Sequence, residues 1–174
     1  PTTLRAQLIG KVPHGRQDQR DLVLVMRHIA GFIIEAGRAL VDLLVLNESE
    51  ALSLCGLDVG TSHDAAVQAI RHFQQWGIRR VVLTLGGAGA IAADGDAVTY
   101  HPAARVDVVD TTAAGDTFLG ALVAAWARGL PFADCVHQGM TAASLCVQTA
   151  GAQTSIPSRA QTEVALTAPH WQNL

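Results

Sequence analysis

The sequence is poor in cysteine, and the few cysteines it has form no recognisable pattern. Cys55, Cys135 and Cys146 are the only three, and no two of them are separated by just two residues. A zinc ribbon and a thioredoxin-type redox site both need such a close pair, so neither is indicated. We therefore expect reduced, buried thiols, as is usual in a cytoplasmic protein.

Charge and long apolar runs are also scarce. Only 16% of the 174 residues are charged and the formal net charge is −3, which offers no basic surface for nucleic acid. No apolar run approaches the roughly 18 residues that a membrane helix needs. The seven histidines are scattered without the spacing of a metal site. At 49% apolar the composition is globular, and the length fits one domain over residues 1–174.

Short apolar runs alternate with segments of helical periodicity along the chain. The predicted buried strands are residues 43–46, 81–85 and 106–109, and the predicted helices are residues 48–55, 63–76, 116–128, 132–149 and 159–166. Two further apolar runs flank Asp94-Gly95, which is the signal for a β-hairpin with a type I′ turn. Strands that alternate with helices indicate an α/β domain with a largely parallel sheet.

One segment carries the clearest chemical signal, because a predicted strand runs through small residues into a helix. Residues 112–116 (TAAGD) lie at the predicted helix start, where backbone N–H groups lack partners inside the helix. The helix dipole adds positive charge there, and small side chains let an anion come close. Asp116 would lie beside a bound phosphate and could accept a hydroxyl proton. The alternative is structural: Asp110 or Asp116 caps the helix, and Gly115 relieves a tight turn.

Four segments, in order along the chain, resemble motifs of the ribokinase-like (PfkB) family of carbohydrate kinases. Residues 110–118 (DTTAAGDTF) are similar to its C-terminal signature, and residues 47–50 (NESE) to its N-x-x-E motif. Residues 84–89 (TLGGAG) resemble its nucleotide loop, and residues 151–157 (GAQTSIP) resemble a segment near its C-terminus. The resemblance implies the family's fold, a doubly wound, mostly parallel sheet flanked by helices.

The resemblance covers residues 42–166 and implies the nucleotide-binding and catalytic part of that fold, whereas residues 1–41 match it poorly. We find neither the family's Gly-Gly sugar-binding motif nor the strands of its small β-sheet lid. We therefore expect the N-terminal part and the lid to be absent, and this chain alone to phosphorylate sugar poorly or not at all.

The family's activity is ATP-dependent transfer of the γ-phosphoryl group to a sugar hydroxyl, and ribose O5 is the first substrate that the resemblance implies. Asp116 would be the catalytic base, and the backbone amides of Ala113, Ala114 and Gly115 would form the anion hole for the migrating group. Such a transfer depends mainly on positioning and charge neutralisation. Two alternatives stay open: a non-catalytic nucleotide-binding remnant, and a kinase of nucleosides, pseudouridine or fructose phosphates on the same scaffold.

The resemblance also implies sites for ATP and cations. Glu50 with Asn47 would organise hydrated Mg²⁺ against the ATP phosphates, and helix capping is the structural alternative. The implied nucleotide contacts are Thr84, Gly86, Gly87, Ala88, Gly89 and Met140, for which an ordinary turn and plain core packing are the alternatives. K⁺ is a further candidate beside the anion hole. Its implied ligands are the side chains of Asp110 and Ser155 and the carbonyl oxygens of Thr112, Cys146, Thr149 and Gly151.

The partners implied are therefore a small-molecule sugar and ATP, with neither nucleic acid nor a membrane. A sheet edge left open where the lid is missing would be prone to association, so a homodimer is also expected as a candidate state.

Overall fold

The computed structural model describes residues 7–9, 23–25, 41–60 and 62–168, the first two segments for their backbone alone. The strands are β1 (Gln7–Ile9), β2 (Val23–Val25), β3 (Leu43–Asn47), β4 (Arg80–Thr84), β5 (Ala90–Asp94) and β6 (Ala97–His101). The α-helices are α1 (Glu48–Cys55), α2 (His63–Gln75), α3 (Ala114–Ala127), α4 (Phe132–Cys146) and α5 (Arg159–Thr167). Most of the poorly matched segment 1–41 lies outside the described residues.

The strands form one sheet, in the order in which they follow one another along the chain. Strands β2, β3 and β4 are parallel, and β1 is antiparallel to β2. The register pairs Leu43 with Arg80 and Asn47 with Thr84, so β3 and β4 end at the same edge. The sheet is therefore mixed, with parallel strands next to one another, and the predicted α/β class is confirmed.

The chain divides into two compact units. Unit 1 is Pro1–Leu85 with Ile91–Thr99, and unit 2 is Gly86–Ala90 with Tyr100–Leu174. The prediction of a single domain stays a prediction.

The core of unit 1 lies between α2 and the sheet. Helix α2 contributes Ala66, Ala69, Ile70 and Phe73, all completely buried, at the spacing of one helical face. These side chains pack in one cluster with buried strand residues such as Leu44. The Ser62 side chain caps the helix by accepting a hydrogen bond from Ala65 N at 3.1 Å. The predicted helix over residues 63–76 is thus confirmed to within one residue.

Unit 2 is built on close packing between α3 and α4. A Cβ added to Gly139 would lie 2.9 Å from the ring of Phe118, so the missing side chain lets the two helices approach. Leu122 and Val136 are completely buried. Helix α3 begins at Ala114, two residues before its predicted start, and α4 ends at Cys146, three residues before its predicted end.

Two local predictions are wrong. Residues 106–109 form no strand: Val108 and Val109 are 62% and 64% exposed, and Val109 N donates to Val147 O rather than to a sheet neighbour. The hairpin is present, but its two turn residues are Gly95 and Asp96. Among the described residues, positive φ occurs at Gly95 and not at Asp96, which fits a type II′ turn rather than type I′.

Candidate active site

The first turn of α3 is the part of unit 2 that carries the predicted anion hole. Its N-cap residue is Ala113, and no described side chain makes a capping hydrogen bond there. Gly115 and Asp116 are exposed. The N-cap position is thus held by Ala113, and not by Asp110 or Asp116. Ala113 has no polar side chain to cap the first-turn N–H groups, which lie at the positive end of the helix dipole.

Ala113 also has an unusual backbone. Its φ is +62°, and it is the one non-glycine residue with positive φ among those that the structure describes. A left-handed backbone costs an alanine roughly 1 kcal/mol. Such strain persists only where neighbouring contacts hold it, and it is concentrated at functional sites.

Asp110 ties the loop before α3 to the segment that follows α4. Its Oδ1 accepts a hydrogen bond from Thr112 N at 2.8 Å, and its Oδ2 accepts one from Gly151 N at 2.9 Å. Hydrogen bonds from the Thr112 side chain, and then from the two backbone N–H groups, lower the pKa of Asp110 to about 2. The carboxylate is therefore ionised at every pH at which the protein is normally handled.

The residues expected to bind K⁺ lie in one hydrogen-bonded network. Cys146 Sγ lies 3.2 Å from Ser155 Oγ and donates to Thr112 O at 3.8 Å, and Thr149 N donates to Cys146 O at 3.1 Å. Through Thr112, this network also includes Asp110 and Gly151. A carboxylate, a hydroxyl and several carbonyl oxygens suit a K⁺ ion chemically. The role of these residues as ligands stays a prediction.

In unit 1, Asn47 and Glu50 stand at the start of α1. Asn47 Oδ1 accepts from Glu50 N at 2.9 Å, and Glu50 Oε2 accepts from Asn47 N at 3.0 Å, so the two residues form a capping box. The structural alternative is thus confirmed, but it uses only one of the two carboxylate oxygens. Glu50 is 8% exposed, and its Oε1 is buried with no hydrogen-bond partner.

A buried carboxylate oxygen without a partner is costly, and it indicates a missing donor or cation. A hydrated Mg²⁺ fits this oxygen, because Mg²⁺ keeps several waters and binds through few carboxylates. Thr84 ends β4 opposite Asn47, and its Oγ1 donates to Leu46 O at 3.3 Å. The three predicted residues of unit 1 therefore lie together at the carboxyl ends of two parallel strands, where α/β proteins bind ligands.

The glycine-rich loop of unit 2 forms a single 3-10 turn, Gly86–Ala88, which is exposed. Added Cβ atoms at Gly86 and Gly87 would meet nothing within 4 Å, which leaves room for a ligand. Gly89 differs, because its φ is +108° and a Cβ there would clash with the carbonyl oxygen of His101. At least this glycine is required by the turn itself. Met140 is 8% exposed, as core packing predicts. The nucleotide contacts stay predictions.

Sequence reasoning missed two contributors to the site in unit 2. Thr117 Oγ1 donates to Cys146 Sγ at 3.4 Å, and Val147 O accepts from the N–H groups of both Val109 and Asp110. A threonine in an otherwise apolar helix was a usable signal, whereas a backbone carbonyl leaves no trace in the sequence. Elsewhere in unit 2, burial, helped by the charge of His137, lowers the pKa of His101. His101 is therefore neutral at pH 7.

The family model of pfkB family carbohydrate kinases matches residues 15–159, and the chain belongs to this family. The family model matches from residue 15, whereas the resemblance noted in the sequence begins at residue 42.

Individual relatives agree with the family match. The ribokinase of Staphylococcus aureus (strain COL) is 40% identical over 120 residues, which are 68% of this chain and 39% of that protein. A 1-phosphofructokinase of Haloferax volcanii is 38% identical over 111 residues, 64% of this chain and 35% of that protein. The structure of Arabidopsis thaliana ribokinase complexed with ribose and ATP has a TM-score of 0.69 at 32% identity, covering 74% of this chain and 41% of that one.

The match therefore spans about two fifths of the length of each of these two ribokinases. Among the described residues, none of the helices combines the length and apolarity needed to cross a membrane.

Proposed function

We propose that this chain carries the nucleotide-binding and catalytic part of an ATP-dependent sugar kinase, with ribose O5 as the acceptor. The observation that carries the proposal is the start of α3, with its strained N-cap Ala113, which has no capping side chain, and the exposed Asp116 in its first turn. An anion is the natural partner of such a helix start, and a phosphoryl group in transfer is an anion.

The proposed chemistry divides between side chain and backbone. Asp116 accepts the proton of the sugar hydroxyl. The hydroxyl oxygen of the sugar then attacks the γ-phosphorus of ATP, and ADP leaves. The N–H groups of Ala113, Ala114 and Gly115 stabilise the negative charge on the oxygens of the group in transit. Donors that are already in position are effective, because they need no reorganisation during the reaction.

The remaining predicted residues are proposed to bind the cations and the nucleotide. Glu50, through its unpartnered Oε1, and Asn47 would hold hydrated Mg²⁺. Asp110, Ser155 and the carbonyl oxygens of their network would hold K⁺ beside the loop. Bound cations neutralise phosphate charge and add positive field. The proposed nucleotide contacts are Thr84, Gly86, Gly87, Ala88, Gly89 and Met140.

The names of the relatives support sugar phosphorylation and leave the sugar open. A ribokinase and a 1-phosphofructokinase match at similar identity, 40% and 38%. Ribose is proposed first because a ribokinase complexed with ribose and ATP shares 32% identity at a TM-score of 0.69. Fructose phosphates and nucleosides are the second set of acceptors.

Nucleotide binding without transfer is the second candidate function. It needs only the start of α3 and the unpartnered Glu50 Oε1, and no sugar beside Asp116. Calorimetric titration with ATP and Mg²⁺, followed by a coupled ADP-release assay with ribose, separates the two. Binding with ribose-dependent ADP release supports the kinase. Binding without release for any acceptor supports the second candidate, and absence of binding overturns both.

A further inference from the structure

The loop before α3 contains a tight turn whose middle peptide can face either of two ways. Ala114 N donates to Thr111 O at 3.2 Å, which closes a four-residue turn with Thr112 and Ala113 at its centre. Of these two central residues only Ala113 has positive φ. That pattern is a type II turn, which differs from type I by a flip of the peptide between the two central residues.

The sequence of this turn does not favour the flipped form. A type II turn needs positive φ at its third residue, and glycine is the usual residue there because it has no Cβ. With Ala113 in that place, type I is the less strained choice. Contacts elsewhere must therefore hold the peptide between Thr112 and Ala113 in its flipped orientation.

The thiol of Cys146 supplies such a contact. Cys146 is completely buried in the last turn of α4, and its S–H donates to Thr112 O at 3.8 Å. Thr117 Oγ1 donates to the same sulfur at 3.4 Å, and Ser155 Oγ lies 3.2 Å from it. A thiol has one proton, so with that proton donated to Thr112 O the Ser155 hydroxyl is the donor to sulfur. The sulfur then donates once and accepts twice, which satisfies it fully.

The direction of the Ala113 N–H follows from the planarity of the peptide. Among the described residues no peptide bond is cis, and in a trans peptide the C=O and N–H point in opposite directions. With the Thr112 carbonyl held towards the buried thiol, the Ala113 N–H points away from it. We propose that Cys146 is a positioning residue, whose thiol holds this peptide so that the Ala113 N–H faces the anion; this rests on the proposed function.

The turn can be tested in the isotope-labelled chain by NMR, without any activity. A type II turn gives a strong NOE between Thr112 Hα and Ala113 H–N, whereas type I gives a strong NOE between the two amide protons. We expect the type II pattern in the wild-type chain and a shift towards type I in Cys146→Ala. A type I pattern in the wild-type chain overturns the inference, and this result needs no variant to fold.

The matched control is Cys135→Ala. Cys135 is also completely buried in α4 and its thiol donates to Leu130 O at 3.5 Å, so the same atoms are removed away from the turn. Inorganic phosphate is the probe for the anion hole. We expect Cys146→Ala to weaken phosphate binding about two- to tenfold, as loss of one hydrogen bond does, and Cys135→Ala to leave it unchanged.

A second substitution that restores phosphate affinity would show that Cys146 positions the peptide, and that Cys146→Ala does not simply destabilise the fold. Glycine takes positive φ without strain, so adding Ala113→Gly to Cys146→Ala should restore phosphate affinity, and Cys146→Ser, which keeps a donor, should lose little. Equal phosphate affinity and an unchanged turn in Cys146→Ala overturn the inference. If phosphate moves no amide signal of the wild-type chain while Cys146→Ala still flips the turn, the proposed function fails and the thiol's hold on the peptide stands.

Discussion

Helices α1 and α3 differ in how the backbone N–H groups of their first turns are satisfied. At the start of α1, Asn47 and Glu50 cap each other's backbone N–H groups at 2.9 and 3.0 Å. At the start of α3, no described side chain caps the helix, and Ala113 is held at a φ of +62°. Every α-helix begins with N–H groups that lack internal partners, so the difference lies in which group satisfies them.

The difference indicates which ligand each site suits. The capped start uses its donors internally and is left with a buried carboxylate oxygen, Glu50 Oε1, which suits a hydrated cation. The start of α3 has no capping side chain on its N-cap residue and lies at the positive end of the helix dipole, which suits an anion. A kinase that handles a magnesium–nucleotide complex needs both kinds of site.

The largest expected effect is the loss of phosphoryl transfer in Asp116→Asn. Asp116 is exposed in the first turn of α3, so the substitution should leave the free energy of unfolding nearly unchanged. In a protein that joins this chain to the sugar-binding part and lid of a relative, loss of a general base should lower kcat about 10²- to 10⁴-fold in the coupled ADP-release assay. The matched control is Asp134→Asn, which changes an exposed aspartate in the first turn of α4. Normal turnover in Asp116→Asn would remove Asp116 from the mechanism.

Glu50→Gln separates capping from cation binding at α1. The amide oxygen of Gln can still accept from Asn47 N, so the helix cap and the stability should be retained. The negative charge is lost, so the Mg²⁺ concentration needed for half-maximal nucleotide binding should rise at least about tenfold. Calorimetry at several Mg²⁺ concentrations measures this. An unchanged Mg²⁺ dependence would restrict Glu50 to its structural role.

Asn47→Ala removes the cap itself. Loss of an N-cap side chain should lower the free energy of unfolding by about 1 kcal/mol, measured by urea denaturation. Ser62→Ala is the control, because Ser62 caps α2 by a similar hydrogen bond and belongs to no predicted site. Both variants should lose similar stability, and Asn47→Ala alone should also weaken binding of ATP with Mg²⁺. Equal nucleotide binding in the two variants would count against a ligand role for Asn47.

The smallest expected effect is the pH dependence of the stability that the hydrogen bonds of Asp110 contribute. The pKa of Asp110 is lowered to about 2 by the Thr112 side chain and by the N–H groups of Gly151 and Thr112. A lowered pKa gives stability that is complete above the unfolded value of about 3.9 and is lost as pH falls through the folded value. The stability difference between wild type and Asp110→Asn should therefore stay constant from pH 8 to 5 and shrink below pH 4. A difference that changes between pH 8 and 5 would contradict this.

Local patterns were enough to predict much of the fold. The helix over residues 48–55 was predicted with its observed bounds, because a capping pattern precedes it and Gly56, with a φ of +71°, ends it. The amphipathic face of α2 was equally clear. The run 106–109 was misassigned because an apolar segment is buried only if another element covers it, and the sequence does not contain that information.

The site was predictable in its motifs and not in its contacts. Residues 112–116 were singled out because small residues at a helix start are a local pattern. The contact of the Cys146 thiol with Thr112 O joins residues that are 34 positions apart, and depends on how α3 and α4 pack. Likewise, the turn at Thr112 and Ala113 has a type I sequence and a type II backbone, since tertiary contacts outweigh its local preference.

The comparison between the two helix starts can be tested in one titration. Inorganic phosphate is added to the ¹⁵N-labelled chain, and amide shifts are mapped at the first turns of α1 and α3. We predict that the N–H signals of Ala113, Ala114 and Gly115 move with phosphate concentration, while those of residues 48–50 do not. If the signals at the start of α3 stay in place, or move no more than those of α1, this helix start is not the phosphate site.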